Sequence, residues 1–303
     1  MHRIIFAAVL FFFSFPGVAF SQDCTTSVVV NVFDDHLHVD VQTLKAEDFE
    51  AVINKKAFAI AGARQNYDSR LLVLLETDGS ANDDHVSSEI ETITAAARQI
   101  PEGKPVAFGI YADRAIFTPG FFAEPAARTA AINAVIEQQN SLGKRVALFD
   151  ALHQALHLFG EPRPGDTILL LGSPYDDKSK LSPGTIEKEF LAAGTRFMPM
   201  LRDPMSRVGR GDLLLSNHER EKAFFLDFPE RSGGAHSEFD PRFLEFTWRG
   251  YMLDVRMPES LRKPHEWTLK LSTGIRESFR HTKIFYPELL PPCRVEAQNP
   301  TPK

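Results

Sequence analysis

Unbroken apolar runs alternate with amphipathic stretches through the middle of the chain. Runs of strand length are typical of strands buried on both faces, as in a parallel sheet flanked by helices. These runs are Leu71–Leu75, Val106–Tyr111, Thr167–Leu171 and Arg196–Leu201. Apolar positions between them recur at helical spacing in a segment that starts at Asp83 or Asp84, and in Glu124–Gln139, Val146–Phe159 and Thr185–Ala193. The pattern predicts an α/β fold, with a doubly wound, mostly parallel, Rossmann-like sheet.

The pattern differs on either side of this region. Residues 22–64 hold short extended segments and turns, which predict a small N-terminal β module. We place the α/β domain at residues 65–240 and a C-terminal β extension at residues 241–303. In that extension, Tyr251–Val255 and Trp267–Leu271 predict a β-hairpin with a long connection.

Residues 1–21 have the features of a signal peptide. Arg3 gives a positive start, Ile4–Phe13 is apolar, and Ala19-Phe20-Ser21 places small residues where a signal peptidase cleaves. Retention of this segment as a membrane anchor is the alternative, but Pro16-Gly17 interrupts the apolar stretch before it is long enough to span a bilayer. The expected location is the periplasm, the cell envelope or the extracellular space.

The two cysteines lie near the two ends of the chain that remains after cleavage. In an oxidising compartment Cys24 and Cys293 are expected to form one disulfide; two unpaired thiols are the alternative. Closing so long a loop stabilises by about 5 kcal/mol on the chain-entropy model. The formal charge is −6 and there is no block of basic residues, so nucleic acid is not an expected partner, and no membrane insertion is expected after cleavage.

The loop that follows the first apolar run is the candidate site. Glu76-Thr77-Asp78-Gly79-Ser80 carries oxygen-bearing side chains directly after Leu71–Leu75. In open α/β sheets, ligands bind at the carboxyl ends of the strands. The loop therefore predicts a binding site without naming the ligand.

With these elements placed, the chain resembles von Willebrand factor A-type (vWA) domains, and in particular the VWFA-related proteins exported by Acidobacteria. The resemblance extends over about residues 25–290. Its matching segments are Leu44–Phe49, Arg70–Ser80, Phe108–Asp113, Ala147–Leu152 and Ile168–Ser173. It implies a Rossmann-like sheet with a divalent cation held at its carboxyl edge by an Asp-x-Ser-x-Ser loop, a Thr and a further Asp.

The cation site that this resemblance implies is degenerate here. The Asp-x-Ser-x-Ser positions are occupied by Glu76, Asp78 and Ser80. The expected Thr corresponds to Val146 and the expected Asp to Pro174, although Asp176 and Asp177 lie close by. Mg²⁺ requires near-octahedral oxygen ligation, so it is not expected to bind. A loosely held Ca²⁺ on Glu76, Asp78, Ser80 and Asp176 or Asp177 is the alternative to a metal-free polar loop, which we favour.

Other candidate motifs carry less weight. His36 and His38, in an Asp-x-His-x-His segment, could share a Zn²⁺ in a hydrolase, but the further ligands that such enzymes need have no evident source. Asp150, His153 and His157 share one helix face, which is also what a solvent-facing stripe looks like. We therefore expect a non-catalytic domain that binds a protein or peptide at the carboxyl edge of the sheet. A metal-dependent hydrolase using His36 and His38 and a structural envelope protein are the alternatives.

Overall fold

The computed structural model describes most of the chain between residues 23 and 291. The described ranges are 23–34, 39–41, 43–66, 68–77, 84–201, 219–240, 242–258, 263–275 and 279–291. Within them, no helix is both long enough and apolar enough to cross a bilayer.

Sixteen strands and seven α-helices are described, together with two single 3-10 turns at Ala46–Asp48 and Gln139–Ser141. In chain order the strands are β1 Asp23–Asp34, β2 Val39–Asp40, β3 Phe49–Ile53, β4 Lys56–Phe58, β5 Ile60–Gln65, β6 Leu71–Glu76, β7 Val106–Tyr111, β8 Ala115–Phe117, β9 Thr167–Gly172, β10 Arg196–Leu201, β11 Ser237–Glu238, β12 Tyr251–Pro258, β13 His265–Glu266, β14 Thr268–Leu271, β15 Thr282–Phe285 and β16 Leu289–Leu290. The helices are α1 Asp84–Arg98, α2 Pro125–Ile136, α3 Leu148–Leu158, α4 Pro183–Ala193, α5 Glu219–Leu226, α6 Phe228–Arg231 and α7 Arg242–Trp248.

The larger sheet has the spatial order β8-β7-β6-β9-β10-β11. All its strands run parallel except the edge strand β8, which is antiparallel to β7. β6 lies at the centre, with Leu71 opposite Val106 on one side and Thr167 on the other. The predicted strands thus form one mostly parallel sheet, and the predicted fold class is confirmed.

Helices cover both faces of this sheet because alternate residues of each strand point to opposite sides. Leu71, Val73 and Leu75 share an apolar cluster with residues of α1, α2 and α7. Leu72 and Leu74 share a second cluster with residues of α3, α4, α5 and α6. Full burial of one such leucine contributes roughly 1.5–3 kcal/mol to stability. The leucines of β6 therefore stabilise the packing of helices on both faces of the sheet.

The N-terminal and C-terminal strands pair with each other, which corrects the predicted hairpin. β12 pairs with β1 and β5, while β14 pairs with β3, so the two predicted hairpin strands lie in different sheets. β15 also pairs with β1. Strands that follow each other in the chain are neighbours only about two-thirds of the time, and alternation of apolar residues does not identify a strand's partner.

The predicted N-terminal β module and C-terminal β extension therefore contribute strands to the same sheets. Strands from residues 22–64 and 241–303 form three sheets that share one apolar cluster, and we call them together the β unit. Helix α7, which lies within 241–303, packs instead on the larger sheet, since Leu244 and Phe246 belong to the same cluster as Leu71. The β unit adjoins the amino ends of the parallel strands, and it leaves their carboxyl ends at the opposite edge.

Candidate functional site

The carboxyl ends of β6 and β9 mark the point where the order of the sheet reverses. From β6 the chain proceeds outward to β7 and β8, and it then returns to β9 on the other side of β6. Connections that leave neighbouring strands in opposite directions create a crevice between them, which is where open α/β sheets bind ligands. Glu76 ends β6, and Ser173 directly follows β9.

Glu76 and Ser173 are in contact at this point of the sheet. The Ser173 N–H donates to Glu76 Oε2 over 2.6 Å, and the Ser173 hydroxyl donates to the same oxygen over 2.9 Å. Glu76 is 0% exposed and Ser173 is 8% exposed. Hydrogen bonds to a charged acceptor are shorter and stronger than neutral ones. We call this contact the Glu76–Ser173 lock.

Gly172 makes room for the lock. A Cβ at Gly172 would lie 2.7 Å from Tyr111 Oη and 3.0 Å from Glu76 Oε2, so the position requires a residue without a side chain. Thr77, on the other side, donates its N–H to the Tyr111 carbonyl over 2.7 Å. The ends of β6, β7 and β9 are therefore tied together at the centre of the face.

Asp113 organises the loop that follows β7. Its Oδ1 accepts from the Gly143 N–H over 2.7 Å and its Oδ2 accepts from Lys178 Nζ over 3.1 Å. The Gly143 bond, followed by the Lys178 ammonium, lowers the pKa of the Asp113 carboxyl below its ordinary value. A Cβ at Gly143 would lie 2.8 Å from Asp113 Cγ, so glycine allows the two loops to approach.

Asp177 and Asp176 hold the loop that follows β9. Asp177 Oδ1 accepts from the Val146 N–H over 2.7 Å, and the Val146 carbonyl accepts from the N–H groups of Asp177 and Lys178. Asp176 Oδ1 accepts from the N–H groups of Lys178 and Ser179, at 3.0 and 2.9 Å. Asp176 thus fixes the shape of its own turn, and Asp177 joins that turn to the segment at Val146.

Two of the residues that the sequence put forward as metal ligands lie in the described part of the chain. Glu76 is buried at the end of β6 and Asp176 lies in the turn after β9, while Asp78 and Ser80 fall outside the described residues. In the described ranges, no group of three or more His, Cys, Asp or Glu side chains is arranged to hold a metal ion. The described donors do not fit Mg²⁺: Glu76 is directed at Ser173, and neither Val146 nor Pro174 offers a side-chain oxygen. Binding to the complete loop stays a prediction.

Of the two histidine motifs put forward from the sequence, the structure describes the one on α3. His36 and His38 lie outside the described residues. On α3, His153 Nδ1 lies 2.8 Å from Glu189 Oε2, and its ring packs against His157 with centroids 4.4 Å apart. Asp150 accepts from the N–H groups of Lys180 and Leu181 instead of facing those rings.

Cys24 is a buried residue of β1, and Cys293 lies outside the described residues. Leu290, shortly before Cys293 in the chain, belongs to the same apolar cluster as Cys24. The disulfide stays a prediction, and this proximity is compatible with it.

Sequence reasoning missed the structural roles of Ser173, Asp113 and Tyr111. The glycines at positions 172 and 143 are the sequence feature that could have indicated these contacts, because Gly172 and Gly143 each permit a close approach of polar groups. A glycine at the end of a buried strand is a reason to ask which side chain crosses it.

No protein-family profile matches the chain, and a search of curated proteins finds no match. Among solved structures, it is similar to a von Willebrand factor type A protein from Catenulispora acidiphila, with 15% identity, a TM-score of 0.43, and coverage of 68% of this chain and 51% of that one. It is also similar to the conserved hypothetical protein BatB from Bacteroides thetaiotaomicron, with 9% identity, a TM-score of 0.42, and coverage of 59% and 96%. A third similarity is to the SpRpn10 VWA domain, with 9% identity, a TM-score of 0.39, and coverage of 57% and 88%.

Proposed function

We propose that the chain is an exported, non-catalytic vWA-like domain that binds a protein or peptide partner over the carboxyl edge of its larger sheet. The observation that carries this proposal is how the acidic side chains of that edge are used. Glu76, Asp113, Asp176 and Asp177 each accept hydrogen bonds from the loops around them. They build a preformed surface, and rigid surfaces bind partners at a lower entropic cost.

Four basic side chains lie on the described loops of this surface, and three of them pair with its acidic groups. We define the rim as Arg114, Lys144, Arg145 and Lys178. The side chains of Arg114 and Arg145 are 51% and 61% exposed, and Lys144 is exposed as well. Exposed arginine and lysine side chains offer contacts to a macromolecular partner, because each carries several hydrogen-bond donors for the partner's carboxylates and carbonyls.

The buried lock favours binding over catalysis. A nucleophilic serine needs an adjacent base and access for the substrate. The Ser173 hydroxyl is directed at a fully buried carboxylate, and the residue itself is nearly buried. This arrangement supports a structural role for Ser173 in holding the binding face.

Export is proposed from the sequence. The N-terminal residues 1–21 have the features of a signal peptide, and the sequence resembles exported VWFA-related proteins, although its own cation site is expected to be degenerate. Either the periplasm, the envelope or the extracellular space would suit a domain that binds another protein.

The test is affinity capture from the envelope fraction of the source cells. Wild-type protein is compared with Lys144→Glu, on the rim, and with Lys270→Glu, a matched exposed lysine on β14 in the β unit. A partner retained by the wild type and by Lys270→Glu but lost with Lys144→Glu supports the proposal. Equal retention by all three proteins, or loss only with Lys270→Glu, contradicts it.

A further inference from the structure

A second group of polar side chains lies at the opposite edge of the larger sheet, away from the proposed binding face. Its members come just before or at the amino ends of β6, β7, β9 and β10, and all are less than one-tenth exposed. We define the base cluster as Asn66, Ser69, Arg70, Lys104, Asp166 and Arg196. Buried polar groups of this kind are costly unless each is paired.

Two members of the base cluster, Arg196 and Asn66, bond the larger sheet to the β1–β12 sheet, and we call this contact the junction. Lys104 is linked to Asn66 through Ser69, whose Oγ accepts from both side chains over 2.8 Å. Arg196 donates to the Asn31 side chain of β1, and the Asn66 N–H donates to the Gly250 carbonyl next to β12 over 3.0 Å. A Cβ at Gly165 would collide with the side chain of Val29 in β1. The two units are in close contact here, so a change within the base cluster acts on both.

Among the six members of the base cluster, three side chains are basic and one is acidic. Arg70, Lys104 and Arg196 are the basic groups, and Asp166 is the buried carboxylate. Asp166 forms an ion pair with Arg70, in which Nε donates to Oδ1 over 2.9 Å and Nη2 donates to Oδ2 over 2.5 Å. Asp68, the other acid facing Lys104, is exposed. Arginine stays protonated in proteins, so Lys104 is the member of the cluster that can lose its positive charge.

Lys104 has a hydrogen bond that does not require that charge. The residue is 5% exposed, and its Nζ donates to Ser69 Oγ over 2.8 Å. A neutral amine still carries N–H groups, so this bond survives deprotonation. Protonation adds a third cation to the junction without adding a carboxylate.

We propose that Lys104 makes this junction sensitive to pH: the lysine is neutral in the tight junction, and its protonation loosens the contact between the larger sheet and the β1–β12 sheet. The electrostatics agree with this assignment. Burial first, and then Arg196, lowers the pKa of Lys104 from 10.5 to about 7, against smaller opposing effects of Asp68 and Asp166.

The sign of the effect follows from the lowered pKa. When the junction opens, Lys104 returns to water and to its ordinary pKa, so between about pH 7 and pH 10.5 the open form binds more protons than the closed form. The closed form is therefore favoured by rising pH in that window, about tenfold for each pH unit. Below about pH 7 both forms are protonated, and the dependence levels off.

The first test is urea unfolding from about pH 6 to about pH 10 for wild type, Lys104→Met and the exposed control Lys270→Met. The unfolding constant of wild type relative to Lys104→Met should fall about tenfold per pH unit above pH 7 and be constant below it. Lys270→Met should retain the wild-type profile. Parallel profiles for wild type and Lys104→Met would overturn the proposal.

Two further measurements use the wild-type chain alone, so they hold even if Lys104→Met fails to fold. In an NMR titration of labelled lysines, one side chain should titrate near pH 7 while exposed lysines titrate near about pH 10.4. All lysines titrating near the ordinary value would overturn the proposal.

The second measurement is hydrogen exchange in dilute urea near pH 7. The backbone amides of β1 should lose protection from exchange before those of β6. Equal loss in both strands would overturn the proposal, because the junction would then not be the unit that responds.

Discussion

The Glu76–Ser173 lock can be tested by removing one hydroxyl. Ser173→Ala deletes the bond from Ser173 Oγ to Glu76 Oε2 at 2.9 Å and leaves the 2.6 Å bond from the Ser173 N–H in place. A hydrogen bond to a charged, buried acceptor contributes about 1.5–3 kcal/mol. We expect the free energy of unfolding to fall by about that amount, because the Glu76 carboxylate has no access to water that could replace the hydroxyl.

A double-mutant cycle shows whether the two side chains act together. Glu76→Gln keeps the volume of the side chain but removes its charge and replaces one acceptor oxygen with an NH2 donor. Leaving a buried donor unpaired costs about 1–3 kcal/mol. In the Glu76→Gln background, the cost of Ser173→Ala should shrink by at least about 0.5 kcal/mol, since the hydroxyl no longer donates to a charged acceptor.

The assay is urea unfolding followed by circular dichroism. Ser88→Ala on the exposed side of α1 is the control, and it should stay within about 0.5 kcal/mol of wild type. A neutral Ser173→Ala, or strictly additive effects of Ser173→Ala and Glu76→Gln, would refute the lock as an energetic link between β6 and β9.

Three further predictions concern the loops, the metal and the termini. Asp113→Asn should weaken the attachment of the Gly143 loop above the unfolded-state pKa, and the gap to wild type should close as pH falls through the lowered pKa of Asp113; acid unfolding curves that differ by a constant amount would contradict this. Millimolar Mg²⁺ should leave the melting temperature unchanged in wild type and in Asp78→Ala, because Val146 and Pro174 supply no side-chain oxygen to complete the shell, whereas a rise confined to wild type would mean that the site is intact. Peptide mapping of exported, unreduced protein should find Cys24 linked to Cys293, and two free thiols would remove that cross-link from the account.

The parallel sheet could be predicted because burial on both faces leaves a strong mark. Val106–Tyr111 and Arg196–Leu201 are strands with the predicted bounds, since all or nearly all of their residues are buried and turn residues flank them. Short edge strands leave no such mark. Ala115–Phe117 has three half-buried residues, and Ser237–Glu238 is too short for any periodicity.

Long-range pairing was the part that the sequence could not supply. β1 pairs with β12 across most of the chain, and no local pattern in either strand names the other. The same limit applies to the binding face, where Glu76 meets Ser173 and Gly143 meets Asp113 only after the sheet has formed. Local chemistry predicted where oxygen-bearing side chains gather, but their partners depend on strand order.

Site-specific photo-crosslinking in the source cells is the most direct test of the proposed binding face. A photoreactive amino acid takes the place of Lys144 on the rim in one protein and of Lys270 in the β unit in another. We predict a discrete adduct with a partner protein from position 144, unaffected by a chelator of divalent cations, and no such adduct from position 270. Adducts from position 270 alone, or an adduct at position 144 that disappears with the chelator, would contradict metal-free binding at the carboxyl edge.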